Sequence, residues 1–357
     1  MIERMNIKGR MRQAVAALLL IAGCGAATAH DFTATLNGQK IYFNIKSKKG
    51  RTAEVTYSGS IADKRTLETE GTVEIPARVK HNNVVYTVTG IGAKAFSGAE
   101  KLTGIILPVT VTRIGDFAFE GCTSLSKIVF PGGNMAFGEG VFFKCTSIKN
   151  VTFGSDWKQV DLKRFRWSDS LAAVSIPAKV EKISGLKSLK GLRDITVDAN
   201  NSKFSSHGGA LYNKVGNVLY GCPRAYKGRL EIKEGTETVT NGALIDCTGI
   251  TEIDFPASIA QLSFRETSRM KELEQITFRG NAPVNTAYKG TEGKFVIQTA
   301  NADVKIMVPN GSKKEFKSLL VQEAGEYSET SDSNGTCYAV RTDELPKAKN
   351  IVGVKSF

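Results

Sequence analysis

This chain of 357 residues has few places where side chains could do chemistry. His30, His81 and His207 are its histidines; His81 precedes Asn82-Asn83 and His207 precedes Gly208-Gly209, both turn-forming pairs. None has a second ligand at helical spacing, so they read as solvated loop or terminal residues, not as a metal site. Gly90-Ile91-Gly92-Ala93-Lys94-Ala95 imitates the start of a dinucleotide-binding turn. Ser124-Leu125-Ser126-Lys127 and Ser184-Gly185-Leu186-Lys187 both fit the Ser-x-x-Lys pattern of acylating serines, but no Ser-Asp-Asn or Lys-Thr-Gly partner accompanies them. Asp332-Ser333-Asn334-Gly335 opens like a calcium loop, yet Arg341 stands where a bidentate Glu is required. Gly-x-Ser-x-Gly and Cys-x-x-Cys are absent. The expectation is a protein with no catalytic residues, no cofactor and no metal.

Most of these false motifs fall in register with a repeat. Ile91, Ile114, Phe137, Val160 and Ile183 stand 23 residues apart, and Phe96, Phe119, Phe142 and Phe165 keep the same step. So do Leu102, Leu125, Ile148 and Leu171, and the spacing returns at Ile250 to Leu273, Ile253 to Ile276 and Phe255 to Phe278. A fixed period of about 20–50 residues marks a solenoid, whose units bury their apolar edges against their neighbours. The repeat therefore accounts for the glycine-rich stretch: Ile91, Gly92 and Ala95 correspond to Ile114, Gly115 and Ala118.

One unit shows how a coil is built. Ala118, Phe119, Cys122 and Leu125 have three- and four-residue spacings, which predict one or two helical turns stopped near Gly121. Ile128 and Phe130 alternate with Val129 as in a strand with one buried face, and Pro131 ends it. The expected fold class is an α/β repeat solenoid of parallel strands and short helical turns, closed by β-rich caps.

Ile114-Gly115-x-x-Ala118-Phe119 followed by Cys122-x-x-Leu125-x-x-Ile128-x-Phe130 resembles the BspA-like leucine-rich repeat of bacterial surface proteins, from about Val88 to Phe278. Asp31-Phe32 and Tyr86-x-Val88-x-x-Ile91-Gly92 resemble that family's opening segment, and Lys305-Ile306-x-Val308-Pro309 with Phe316-Lys317 its closing strand and helix. The resemblance implies a right-handed solenoid at the cell surface, with adhesive or binding roles in some members.

The expected organisation is a signal peptide over 1–29, an N-terminal β cap over 30–87, a solenoid over 88–279 and a C-terminal cap over 280–357. The cap opens on a hairpin at Asn37-Gly38. The period breaks between Asn200 and Leu230, where Leu211 to Asn213 and Val218 to Tyr220 flank Gly216-Asn217, predicting an inserted hairpin near 203–229. Val304 to Pro309 reads as a strand and 315–322 as a short helix; the last dozen residues show no readable pattern.

Binding surfaces follow from register. Strands about 4.8 Å apart over seven repeats would make a face roughly 30 Å across. Its middle outward column reads Ile106, Val129, Thr152, Ser175, Thr196, Asp254, Thr277, beside Gly104, Lys127, Asn150, Ala173, Asp194, Glu252, Gln275. Thr152, Ser175, Thr196, Lys127 and Asn150 are the candidate contacts there. Repeat four adds Trp157-Lys158 and Lys163-Arg164-Phe165-Arg166-Trp167. Register puts Trp157 in a core column and leaves Trp167 exposed beside Arg166, a pair able to stack on a sugar or meet an acidic partner.

Basic residues (Arg4, Lys8, Arg10, Arg12), the short apolar run Ala14 to Ile21 and Ala27-Thr28-Ala29 predict secretion with cleavage after Ala29. Ile21-Ala22-Gly23-Cys24 also fits a lipobox, so a lipid anchor at Cys24 is the alternative. No later run is long enough to span a bilayer. The net charge of +13 favours anionic partners, but the Lys and Arg are scattered and form no nucleic-acid-binding motif. Cys122, Cys145 and Cys247 share one repeat position and should stack as buried thiols, with Cys222 and Cys337 outside that column. The functional expectation is an exported surface or periplasmic binding protein for an extracellular protein, matrix component or polysaccharide; a scaffold docking another envelope protein is the alternative.

Overall fold

The computed structural model describes residues 30–57, 69–133, 135–262, 266–267, 269–281, 304–309, 312 and 351–354. The signal peptide expected over 1–29, Cys24, Cys337, the helix expected at 315–322 and the calcium-loop-like stretch at Asp332 lie outside them. The chain forms two compact units, Met1–Gly154 and Ser155–Phe357.

In the first unit, Phe32–Leu36 and Gln39–Ser47 pair antiparallel across Asn37 and Gly38, both with positive φ. Thr52–Thr56 continues the antiparallel ladder, and Arg78–His81 pairs antiparallel with Val84–Ile91. From there every pairing is parallel. Val84–Ile91, Arg113–Ile114 and Ala136–Phe137 form one ladder, with Ile91, Ile114 and Phe137 as register partners. Gly71–Glu74, Leu102–Ile106, Lys127–Phe130 and Asn150–Phe153 form a second, with Ile105, Ile128 and Val151 aligned. Two parallel ladders with a 23-residue step make this unit a β-solenoid.

The predicted columns are its core. Phe96, Phe119 and Phe142 are buried, with ring centroids 5.2 Å and 5.5 Å apart and nearly parallel planes. Leu102, Leu125 and Ile148 form a fully buried row beside them.

The helical turns are not there, and the α/β class is corrected to an essentially all-β solenoid. Among the described residues the helices are two 3-10 turns, Leu162–Phe165 and Leu186–Ser188. The reason is where the backbone donors go. An α-helix needs each N–H to reach the carbonyl four residues back, but Phe117 N–H, Phe119 N–H and Gly121 N–H donate to Glu139 O (2.8 Å), Val141 O (3.0 Å) and Phe143 O (2.9 Å) of the next coil. Phe117 and Gly121 also have positive φ, 52° and 70°, which no right-handed helix tolerates. The three-residue spacing is real but arises from tight turns: Cys122 N–H donates to Phe119 O, and Leu125 N–H to Cys122 O.

The second unit begins with two short parallel pairs, Gln159–Asp161 with Lys182–Ser184 and Ala173–Ile176 with Asp194–Val197. Phe204–His207, Ala210–Asn213 and Val218–Gly221 then run antiparallel, the second turn held by Asn213 Oδ1 accepting from Gly216 N–H (2.9 Å) and Val218 N–H (3.1 Å). Val218–Gly221 also pairs parallel with Thr238–Val239, which returns the chain to coiling. Lys227–Glu231, Gly249–Phe255, Gln275–Phe278, Lys305–Pro309 and Ile351–Val354 close the unit as a parallel five-stranded sheet. Phe255 and Phe278 repeat the ring stack at 5.0 Å. Ile351–Val354 is a strand the sequence pattern did not reveal.

Candidate functional site

Arg166 and Trp167 owe their position to the 3-10 turn before them. Leu162 and Phe165 are buried and draw that turn against the core. Asp161 caps it: its Oδ1 accepts from Lys163 N–H (3.3 Å) and from Ser184 Oγ (2.9 Å) in the adjoining coil, while its Oδ2 lies 3.6 Å from Arg164 Nε. Gly185 is needed for this close approach, since a Cβ there would meet Lys163 N at 2.4 Å. The chain after Phe165 turns outward. Trp167 is 42% exposed, and the Arg166 guanidinium carbon lies 5.6 Å from its ring centroid. Such a cation–π contact contributes about 0.5–1 kcal/mol at an exposed site, enough to bias both side chains toward one arrangement before a ligand arrives. Trp157 is buried, as its column requires.

The sheet-face candidates divide into two groups. Lys127, Asn150 and Thr152 are exposed in the first unit, with Asn150 in register with Lys127 and Thr152 with Val129. Ser175 and Thr196 are register partners in the second unit, exposed, with hydroxyl oxygens 2.9 Å apart. The strip expected across seven repeats does not form one sheet: its strands belong to a four-stranded, a two-stranded and a five-stranded sheet. Within the second unit the antiparallel insertion lies in the chain between the two-stranded and the five-stranded sheet.

At its acidic end the column read as outward is buried. Asp254 is only 5% exposed, roofed by Arg229 Nη2 (2.7 Å) and by a bidentate Arg279, whose Nε and Nη2 reach its oxygens at 2.9 and 2.6 Å. Arg279 Nη1 also reaches Glu234 Oε1 at 3.2 Å. The hydrogen bonds to Asp254 push the pKa of both arginines up. Sequence columns missed this roof because neither arginine shares the 23-residue register of Asp254.

The stacked thiols are present as expected at Cys122 and Cys145, both free and buried. Each Sγ donates one coil back, Cys122 to Phe96 O (3.0 Å) and Cys145 to Phe119 O (2.9 Å). The hydrogen bond with Cys145 and then burial push the Cys122 thiol up. Cys222 stands outside this register, and its carbonyl accepts from Cys247 Sγ at 3.4 Å.

Parallel coils, a 23-residue step and buried phenylalanine and leucine rows are the properties of one kind of repeat. A family model described as a BspA type leucine rich repeat region matches residues 79–207 and 218–289, with six copies, more than half of the chain. The chain belongs to the BspA-type leucine-rich repeat family. The matched stretches of this BspA-type protein leave out 208–217, which falls in the antiparallel insertion. Among solved structures, the pneumococcal vaccine antigen PcpA is 18% identical with a TM-score of 0.42, covering 82% of this chain and 97% of its own. A leucine-rich cell surface protein from Faecalibacterium prausnitzii is 18% identical with a TM-score of 0.37, covering 78% and 89%. A leucine-rich repeat protein from Bacteroides ovatus is 18% identical with a TM-score of 0.40, covering 79% and 80%. No curated protein matches the chain. Among the described residues of this BspA-type protein, no helix is long and apolar enough to cross a membrane.

Proposed function

We propose that this BspA-type repeat protein is an exported surface or periplasmic binding protein that holds an extracellular protein or glycan against the outside of its coils. The observation that carries the reading is the Arg166–Trp167 pair, an exposed indole with a guanidinium 5.6 Å from its centroid, presented on a capped turn. An exposed indole offers an apolar face to a sugar ring or aliphatic side chain, and the cation beside it favours an anionic partner. Ser175 and Thr196 in the same unit, and Lys127, Asn150 and Thr152 in the other, supply hydrogen-bonding groups at exposed positions.

A glycan and matrix-protein array on the secreted form should give a specific ligand. Trp167→Ala and Arg166→Ala should each weaken that ligand by about tenfold or more, as anchoring residues do. Unchanged binding by both variants overturns the assignment of this site. A stoichiometric envelope protein that co-purifies with the chain, with no array ligand found, would favour a docking scaffold instead.

Export itself has a direct measurement. The mature protein should begin at His30, read by N-terminal sequencing; a blocked, lipid-modified Cys24 would make it an anchored lipoprotein.

A further inference from the structure

Along the sequence the Lys and Arg are scattered, but coiling gathers a set of them on stacked segments of the second unit. Its connecting segments 162–171, 185–193 and 222–227 carry eight Lys and Arg and one acidic residue, Asp169. The matching segments of the first unit, 93–101, 116–125 and 139–148, carry three Lys and Arg against four acidic residues. The concentration is therefore local and not a share of the overall basic balance.

The three segments lie against one another. A Cβ at Gly185 would run into Lys163, and one at Gly191 into the Asp169 carbonyl, so the second segment rests directly on the first. Ala225 N–H donates to Leu192 O (2.8 Å) and Arg224 Nη1 to Lys187 O (3.2 Å), which seats the third on the second. The next coil ends the run, where Asp246 takes Arg269 Nη1 at 2.6 Å and Arg224 Nη2 at 3.7 Å.

Some of the eight cations are used within the fold. Lys187 Nζ donates to the carbonyls of Ala243 (2.7 Å), Ile245 (3.0 Å) and Cys222 (3.3 Å), and Arg164 Nε sits 3.6 Å from Asp161 Oδ2. Lys163, Arg166, Lys190, Arg193 and Lys227 are exposed, and among the described residues none of the five forms an ion pair. Stacked coils repeat at about 4.8 Å, so these cations recur over roughly 10 Å of the solenoid. Like charges on adjoining coils repel, and a polyanion laid across them removes that cost.

Trp167 decides the class of polyanion. It is the one large exposed apolar side chain on the three segments; Phe165 is buried, and the Tyr226 hydroxyl donates to Arg229 O at 3.2 Å. One exposed indole suits one sugar ring. A nucleic acid strand stacks its bases on successive aromatic rings, and an anionic bilayer takes up a broader apolar face.

We propose that this strip docks an acidic polysaccharide, a chain bearing sulfate or carboxylate groups, with its anions on Lys163, Lys190, Arg193 and Lys227 and one ring against Arg166–Trp167. This rests on the binding role proposed above and narrows the ligand of that site to one class.

The test titrates the secreted protein with dextran sulfate, neutral dextran, single-stranded DNA matched in charge, and phosphatidylglycerol vesicles. Dextran sulfate should bind, neutral dextran should bind far more weakly, and the affinity for the sulfated chain should fall as salt is raised. Lys190→Gln combined with Arg193→Gln should weaken dextran sulfate about tenfold. Lys101→Gln combined with Lys149→Gln removes the same charge from the first unit and should leave it unchanged. Equal losses from the two double variants, tighter binding of the DNA or the vesicles, or no binding of dextran sulfate would each overturn the proposal. Binding of neutral dextran that needs Trp167 but neither Lys190 nor Arg193 would overturn the strip and leave the Arg166–Trp167 reading standing. A loss in the Lys190 and Arg193 double variant with none in Arg166→Ala or Trp167→Ala would keep the strip and overturn that reading.

Discussion

Replacing Phe119 with alanine should lower the stability of the first unit by about 3–5 kcal/mol, the usual cost of a buried phenylalanine. The ring is fully buried and has a parallel neighbour on each side, Phe96 at 5.2 Å and Phe142 at 5.5 Å. The resulting cavity cannot collapse readily. Phe96 N–H donates to Ala118 O (2.7 Å) and Phe119 N–H to Val141 O (3.0 Å), so the spacing between these coils is set by backbone hydrogen bonds rather than by the rings. In a repeat array each unit is stabilised mainly by its neighbours, so the damage should spread to the coils on either side. Amide hydrogen exchange measures this locally: protection should fall from Phe96 through Phe142. Val129→Ala, on the half-exposed outer face of Lys127–Phe130, should change stability by less than about 1 kcal/mol. Equal effects from the two substitutions would mean that the phenylalanine row is not the core of the coils.

That row was fully legible in the sequence because an identical step brings identical side chains into register, and burial follows from apolarity. What each coil does between its strands was not. Helix and tight turn both place apolar residues three or four apart, so Ala118, Phe119, Cys122 and Leu125 fit either. The choice is made by donors in another coil, such as the Phe119 N–H that finds Val141 O. The left-handed positions Gly98, Gly121 and Lys144 do recur every 23 residues, with φ of 75°, 70° and 59°. Lys144 hides the column, since only glycine advertises such a conformation in sequence. The candidate sites divide the same way. Trp167 was placed outside by register alone, but its cap needed Asp161 and Ser184, which lie in adjoining coils. The role of Lys187 is not legible in sequence, because the carbonyls it serves, at 222, 243 and 245, lie 35, 56 and 58 residues away.

Asp254→Ala should destabilise the second unit by about 2–4 kcal/mol, through loss of several hydrogen bonds to a buried charge. Ion-pair length does not decide this; burial does. Lys179 and Asp156 approach as closely, at 2.6 Å, but both side chains are more than 60% exposed. That pair should contribute under about 1 kcal/mol and weaken further with salt. The Asp254 carboxylate is 6% exposed and ties Arg229 to Arg279, and through Arg279 to Glu234, so one side chain links two neighbouring strands, the residue just after a third and the turn that follows the first. Asp254→Asn keeps the shape but not the charge and should fall between wild type and Asp254→Ala. Urea unfolding followed at the tryptophans, both in this unit, would read the order. Because the arginines are turned onto Asp254, this end of the sheet face presents a closed ion-pair roof, and neither substitution should alter ligand binding at Arg166–Trp167 while the unit remains folded. A loss of binding by folded Asp254→Asn would place the ligand on the roof and move the contact surface to the five-stranded sheet.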